Sequence, residues 1–132
     1  MITLPQLVMI LEHASAELPK AEHEILEKSC MLFEDSAKNA IGSYLFGWPP
    51  LGEAAVAKHG DTPLLDTGAL RDSIEHNVAE HDAAVGTNVE YAKYQEFGTS
   101  RIPARPFMGG ALAHDGDKLP DIVIAELRKL FP

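Results

Sequence analysis

The chain has 132 residues, 45% of them hydrophobic, and carries 11 Lys and Arg against 20 Asp and Glu, a formal net charge of −9. That length predicts one domain with a modest core of its own. Residues 1–42 and 43–132 are each net acidic, which leaves no broad phosphate-neutralising face and argues against primary nucleic-acid binding. No apolar run reaches the roughly 18 residues that cross a bilayer. The opening MITLPQLVMILEHASAEL lacks the basic start of a signal peptide and is soon interrupted by acids and a histidine. Cys30 is the single cysteine; it excludes an internal disulfide framework and reads as a small buried apolar residue.

Leu4, Leu7, Val8, Leu11 and Leu18 recur at helical spacing. Thr3 is placed to cap that helix, Pro5 falls in its first turn, and Pro19 predicts a stop or kink. A second helix is expected from about residue 20 to residue 42, on the stripe Leu26, Cys30, Phe33, Ala37 and Ile41. Residues 43–63, with GWPPLG and HGDTP, read as a long ordered excursion carrying a short helix at 53–59. Trp48 beside Pro49 is its expected anchor.

From Leu70 the period changes to two. Ile74, His76 and Val78 alternate with polar residues, as do Val85, Thr87 and Val89 after AEHDA. This predicts a β-hairpin over about 70–89, with a short third strand near 102–105. A helical turn from Tyr91 is expected to drop Tyr91 and Phe97 onto the core. Pro106 opens a helix with Phe107, Ala111 and Leu112 facing inward, broken at Asp115-Gly116-Asp117. A last helix carries Leu119, Ile122, Val123, Leu127 and Leu130. The predicted fold class is α+β: N-terminal helices on a small antiparallel sheet, with a C-terminal helix packed on one sheet face. Residues 1–132 form one domain, divided into a helical region 1–42, the excursion 43–63, and the sheet and C-terminal helix 64–132.

Chemistry is sparse. His23-Glu24-Ile25-Leu26-Glu27 starts like a zinc-protease motif, but Glu27 stands where the second imidazole belongs. HDGD at 114–117 lacks the further acids of a calcium loop and reads as a helix break with a capping aspartate. A single Asp66-Thr67-Gly68 is half of an aspartic-protease site, whose chemistry needs two carboxylates sharing a proton. No nucleophile elbow or phosphate loop is present, so no catalytic constellation, metal or cofactor is expected. In LLDTGALRDSI, Asp66 or Thr67 instead caps a turn in which Gly68 takes positive φ, with Leu70 and Ile74 as anchors.

In order along the chain, WPPL (48–51), LLDTGALRDSI (64–74), VGTNVEYAKYQEFGT (85–99) and ARPFMGGAL (104–112) resemble the tailed-phage virion morphogenesis proteins, which act in tail completion and head–tail joining. The resemblance implies a non-enzymatic structural protein that forms a ring of about six copies. Its partners would be copies of itself and portal, connector or tail-tube proteins, at the neck or tail top of the virion. Assembly would take place in the host cytoplasm, with DNA at most passing through a lumen. Carried over, Thr67, Gly68, Leu70 and Ser73 shape the hairpin entry. Tyr91, Ala92, Glu96, Phe97, Gly98 and Thr99 form the Tyr-Ala/Glu-Phe-Gly-Thr turn, and Pro106 and Phe107 start the terminal helix. The Gly109-Gly110 pair and HDGD depart from the more continuous C-terminal helix of that family.

Residues 97–113 hold Arg101 and Arg105 and no acid. In a ring, this locally basic loop is expected to dock on the acidic Glu22–Asp35 face of the next subunit. Two alternatives compete: a small DNA-associated protein using Arg101 and Arg105, and a hydrolase built on Asp66.

Overall fold

A computed structural model describes all 132 residues. Helix α1 (Leu4–Ala40) opens with a capping box: the Gln6 amide donates to Thr3 Oγ1 (3.3 Å) and the Thr3 amide donates to Gln6 Oε1 (2.8 Å). The break predicted at Pro19 is absent, and one helix of 37 residues replaces the expected pair. Proline removes one amide donor, which costs most where the freed carbonyl is buried. Pro19 and Ser15 both lie at the surface, so that carbonyl stays hydrated, and the helix-forming residues around it carry the helix through. Of the stripe, Cys30, Ala37 and Ile41 are buried, Phe33 packs against the core and Leu26 is half-buried; Ala40, off the predicted stripe, is buried too.

Gly42 turns the chain at φ +89°, where a Cβ would sit 2.8 Å from the Leu65 side chain. The excursion follows as expected, with α2 (Glu53–His59) in its middle. Trp48 is buried and meets Phe46 edge-to-face at 5.7 Å. It joins Leu70, Ile74, Ala92, Phe107 and Ala111 against the C-terminal half of α1 to form the core.

Gly68 starts α3 (Ala69–Ser73), so the stretch before Ile74 is helical and not extended. Strands β1 (Glu75–Val78) and β2 (Ala83–Gly86) pair antiparallel, His76 opposite Val85, as a two-stranded sheet lying on α1. The ladder is shorter than the alternation predicted because Thr87 Oγ1 accepts the Val89 amide (3.1 Å) and turns the chain away. Residues 102–105 do not join the sheet.

After α4 (Ala92–Phe97) come α5 (Phe107–Asp115), a 3₁₀ turn (Gly116–Lys118) and α6 (Leu119–Arg128). Gly109-Gly110 does not interrupt α5: a Cβ on Gly110 would lie 2.5 Å from the Phe46 ring, so the missing side chain is what lets that ring pack. Phe107 and Ala111 point inward at i and i+4, but Leu112, a further 100° around the helix, is exposed. The C-terminal helix packs on α1 and not on the sheet. The 3₁₀ turn winds at three residues per turn and rephases α6. Glu126 and Leu130 then face α1, while Leu127 turns toward solvent. Leu130 closes a small second core with Ala14 and Ala21.

Candidate functional site

The four motif segments converge in space and are bonded to one another. The indole N–H of Trp48 donates to the Pro106 carbonyl (3.4 Å). The Arg105 guanidinium donates through Nε and Nη2 to the Pro49 carbonyl (3.3 and 3.0 Å) and through Nη2 to that of Pro50 (3.3 Å). Its own amide donates to the Gln95 carbonyl (2.7 Å). Glu96 takes the first free amides of α5: Met108 donates to Oε2 (3.0 Å) and Gly109 to Oε1 (2.8 Å). A carboxylate there satisfies two unpaired donors and complements the helix dipole.

Between them, Gly98 sits at φ +73°, with space for no Cβ: one would fall 2.7 Å from the Ala104 nitrogen. Thr99 closes the loop. Its amide donates to the Ile102 carbonyl (3.0 Å), and its hydroxyl accepts from the amides of Arg101 and Ile102 (3.2 Å each). The Glu-Phe-Gly-Thr element is therefore a rigid brace between α4, α5 and the Trp-Pro-Pro segment.

The other motif shapes the hairpin entry. Gly68 has φ +84°, and the Ala69 amide donates to Thr67 Oγ1 (3.3 Å). Ser73 Oγ donates to the Leu70 carbonyl (2.6 Å) and pairs with Thr87 Oγ1 (2.5 Å) across the open end of the hairpin. Asp66 has no second carboxylate at hand; it contacts His59 Nδ1 (3.1 Å), and both are solvent-exposed. Leu51, Leu64, Leu65, Leu70 and Tyr91 line an open cleft beside this pair.

Phe97 is 80% exposed and Tyr91 half-exposed, against the expectation that both reach the core; Ala92 is buried there instead, beside Phe107, which faces inward as predicted. Helix α4 is only six residues long; it buries Ala92 and is pinned at Glu96, so position 97 faces outward. Arg105 is buried and held by Pro49 and Pro50. Its guanidinium is an internal strut and unavailable to a partner or to DNA, which leaves Arg101 as the exposed arginine of the pair. Tyr94 and Phe97 are exposed along one groove, where the Lys93 ammonium stands 5.1 Å from the Tyr94 ring, and Tyr91 and Arg101 are exposed as well.

A charged cluster escaped the reading of the sequence. His76 on β1 lies between two glutamates of α1, Nε2 against Glu27 (2.7 Å) and Nδ1 against Glu34. Glu27 and then Glu34 raise the pKa of His76. Burial works to raise that of Glu34, but His76 and Lys38 overcome it and hold it below the ordinary value. The clue was the separation of seven between the glutamates, which puts both on one helix face. Because they take opposite ring nitrogens, the three groups do not converge on one point as metal ligands do. Asp115, expected as a cap, is instead buried at the end of α5. Lys118 (2.6 Å) leads Ser36 and His114 in holding its carboxyl well below the usual range. Glu126 is likewise lowered by Lys28 and then Lys129.

Residues 33–128 match the phage virion morphogenesis family. The chain is 40% identical over 68 residues to Mu-like prophage FluMu G protein 2 of Haemophilus influenzae. That stretch covers 46% of this chain and 49% of the relative, about half the length of each. No solved structure matches the chain. The family match runs from the second half of α1 through the hairpin and the Glu96–Gly109 brace to the end of α6, and on that extent the chain belongs to the phage virion morphogenesis family, with a part in building the phage particle.

Proposed function

We propose that this protein is a non-catalytic structural subunit that completes the tail or joins head to tail, working as a closed ring of about six copies. In that role it contacts its own copies and a portal, connector or tail-tube protein at the neck or tail top. The observation that carries the reading is the display of Phe97. It is 80% exposed at the end of α4, where the backbone on both sides is hydrogen-bonded into the fold. An aromatic on an anchored backbone, with an exposed arginine four residues on, has the composition of an interface hot spot, because little backbone remains to be ordered on binding. Acidity elsewhere suits a ring whose lumen DNA passes without sticking.

A head-to-tail contact in which Phe97 and Arg101 meet the acidic side of the next copy closes into a ring when the rotation fits. The charge sets orientation and encounter rate more than affinity. The test is to add labelled protein to particles of its own phage assembled without it, and to image them. Binding at one end only, restored infectivity, and loss of both in Phe97→Ser are expected. Binding along the particle sides, or full activity of Phe97→Ser, overturns the reading.

A further inference from the structure

We infer that the first turns of α1 are a second self-association surface, where α1 helices of neighbouring copies pack against each other. This rests on the reading of the protein as a self-assembling subunit and adds a contact remote from Phe97. A 37-residue helix is about 55 Å long, and the body covers only part of it. Ala14 is the first buried residue, and Leu4, Leu7, Val8, Leu11 and Leu18 are all exposed. At 3.6 residues per turn, Leu4 and Leu11 fall in line with Phe33 and Ala40, which pack in the core. The core-facing stripe of α1 thus runs on past the point where the chain supplies anything to cover it.

The spacing of the uncovered part names its occupant. Leu4, Leu7, Leu11 and Leu18 stand at steps of three, four and seven, the seam by which one helix receives another of the same pattern, and only Ala14 of that seam is covered, by Leu130. Val8 and Ile10, which flank that seam, are also apolar, and residues 1–11 contain no charged side chain. On a chain of net charge −9, such a segment lets two copies approach without opposing carboxylates. The helix is also built to exist there: the Thr3–Gln6 capping box and Pro5 secure an end whose residues 1–9 are all exposed. A second copy of α1 matches this surface in pattern, polarity and length.

The experiment compares wild type, Leu7→Glu/Leu11→Glu and Phe97→Ser by native mass spectrometry and light scattering over rising concentration. All three changes are at exposed positions, and unchanged circular dichroism melting serves as the folding control. The expected result is oligomer in wild type, with the double variant needing about tenfold or more concentration to reach the same mass. An unchanged mass distribution in the double variant overturns the inference. If Phe97→Ser alone lowers the mass, self-assembly stands and only the α1 contact falls. Wild type that stays monomeric throughout overturns the α1 contact, while the end-binding assay separately judges the joining role. Sedimentation of wild type, but not the double variant, with neutral phosphatidylcholine vesicles assigns the stripe to lipid and also overturns it.

Discussion

Glu96 and Gly109 are thirteen residues apart, yet a carboxylate oxygen of the first accepts the amide of the second at 2.8 Å, joining the end of α4 to the start of α5. The bond turns two family motifs into one structural unit. It also gives a function to an acid that the sequence shows only as the last carboxylate before an acid-free run. Removing it exposes two helix amides to the loss of their acceptor.

Glu96→Ala is expected to destabilise the protein by about 1–2 kcal/mol, the range of a lost helix cap. Glu96→Gln keeps an acceptor and loses the charge, so its cost should be less than half as large. Urea unfolding at neutral pH measures both; equal midpoints for Glu96→Ala and wild type would show the brace to be dispensable.

Arg105 holds the Trp-Pro-Pro segment by three hydrogen bonds to two carbonyls. Arg105→Met strips those carbonyls of a charged donor and should cost about 2–4 kcal/mol. Hydrogen exchange should rise first in residues 43–63. Arg105→Lys keeps the charge but lacks the planar fork, so it should recover only part of the loss. Protection of the excursion that does not change in Arg105→Met would refute the strut.

The His76 cluster makes stability depend on pH. The folded-state pKa of His76 is raised above its ordinary 6.5. Its contribution is therefore fully present below about 6.5 and is lost as pH climbs through the raised value. Glu34 is lowered from 4.5, so its contribution is present above 4.5 and is lost as pH falls through the lowered value. Both act together between those limits. The denaturation midpoint of wild type should decline as pH rises above about 6.5, and His76→Gln should flatten that limb; parallel curves would show the cluster to be neutral.

Gly98→Ala should be among the most damaging single-methyl changes in the chain. It combines a left-handed φ with a Cβ 2.7 Å from backbone nitrogen, where no side chain can yield. A loss of about 3 kcal/mol or more is expected, from strain and overpacking together. Thermal melting of the purified variant measures it, and a melting point within a degree of wild type would contradict the geometry.

The local order of the chain was legible because it rests on short-range chemistry. Helical spacing along α1, the 53–59 helix, the Gly68 turn, the alternation on either side of residues 79–82 and the Pro106 helix start each follow from residues within a few positions of one another. So did the family, whose motif residues are bound to one another and keep their spacing for that reason. Beyond the Pro19 break, the extended start of the hairpin and the third strand, what failed was direction. Phe97 and Arg105 were read by residue type, as an aromatic for the core and a cation for the surface, and the fold reverses both.

That reversal depends on partners far along the chain. Pro49 and Pro50 receive the guanidinium, Glu96 fixes the roll of α4, and a 3₁₀ turn rephases α6 onto α1. The sequence by itself determined most of the helices, the turns and the two strands, because backbone preference is largely a local quantity. It missed the unbroken run of α1 through Pro19, the helical turn at Ala69–Ser73 and the absence of a third strand, which depend on the surroundings. Only the tertiary structure decided which side of each segment faces water, because burial is settled by whatever distant segment arrives to cover it. The His76–Glu27–Glu34 cluster belongs to that second kind: its members are scattered over fifty residues and meet only when β1 lies down on α1.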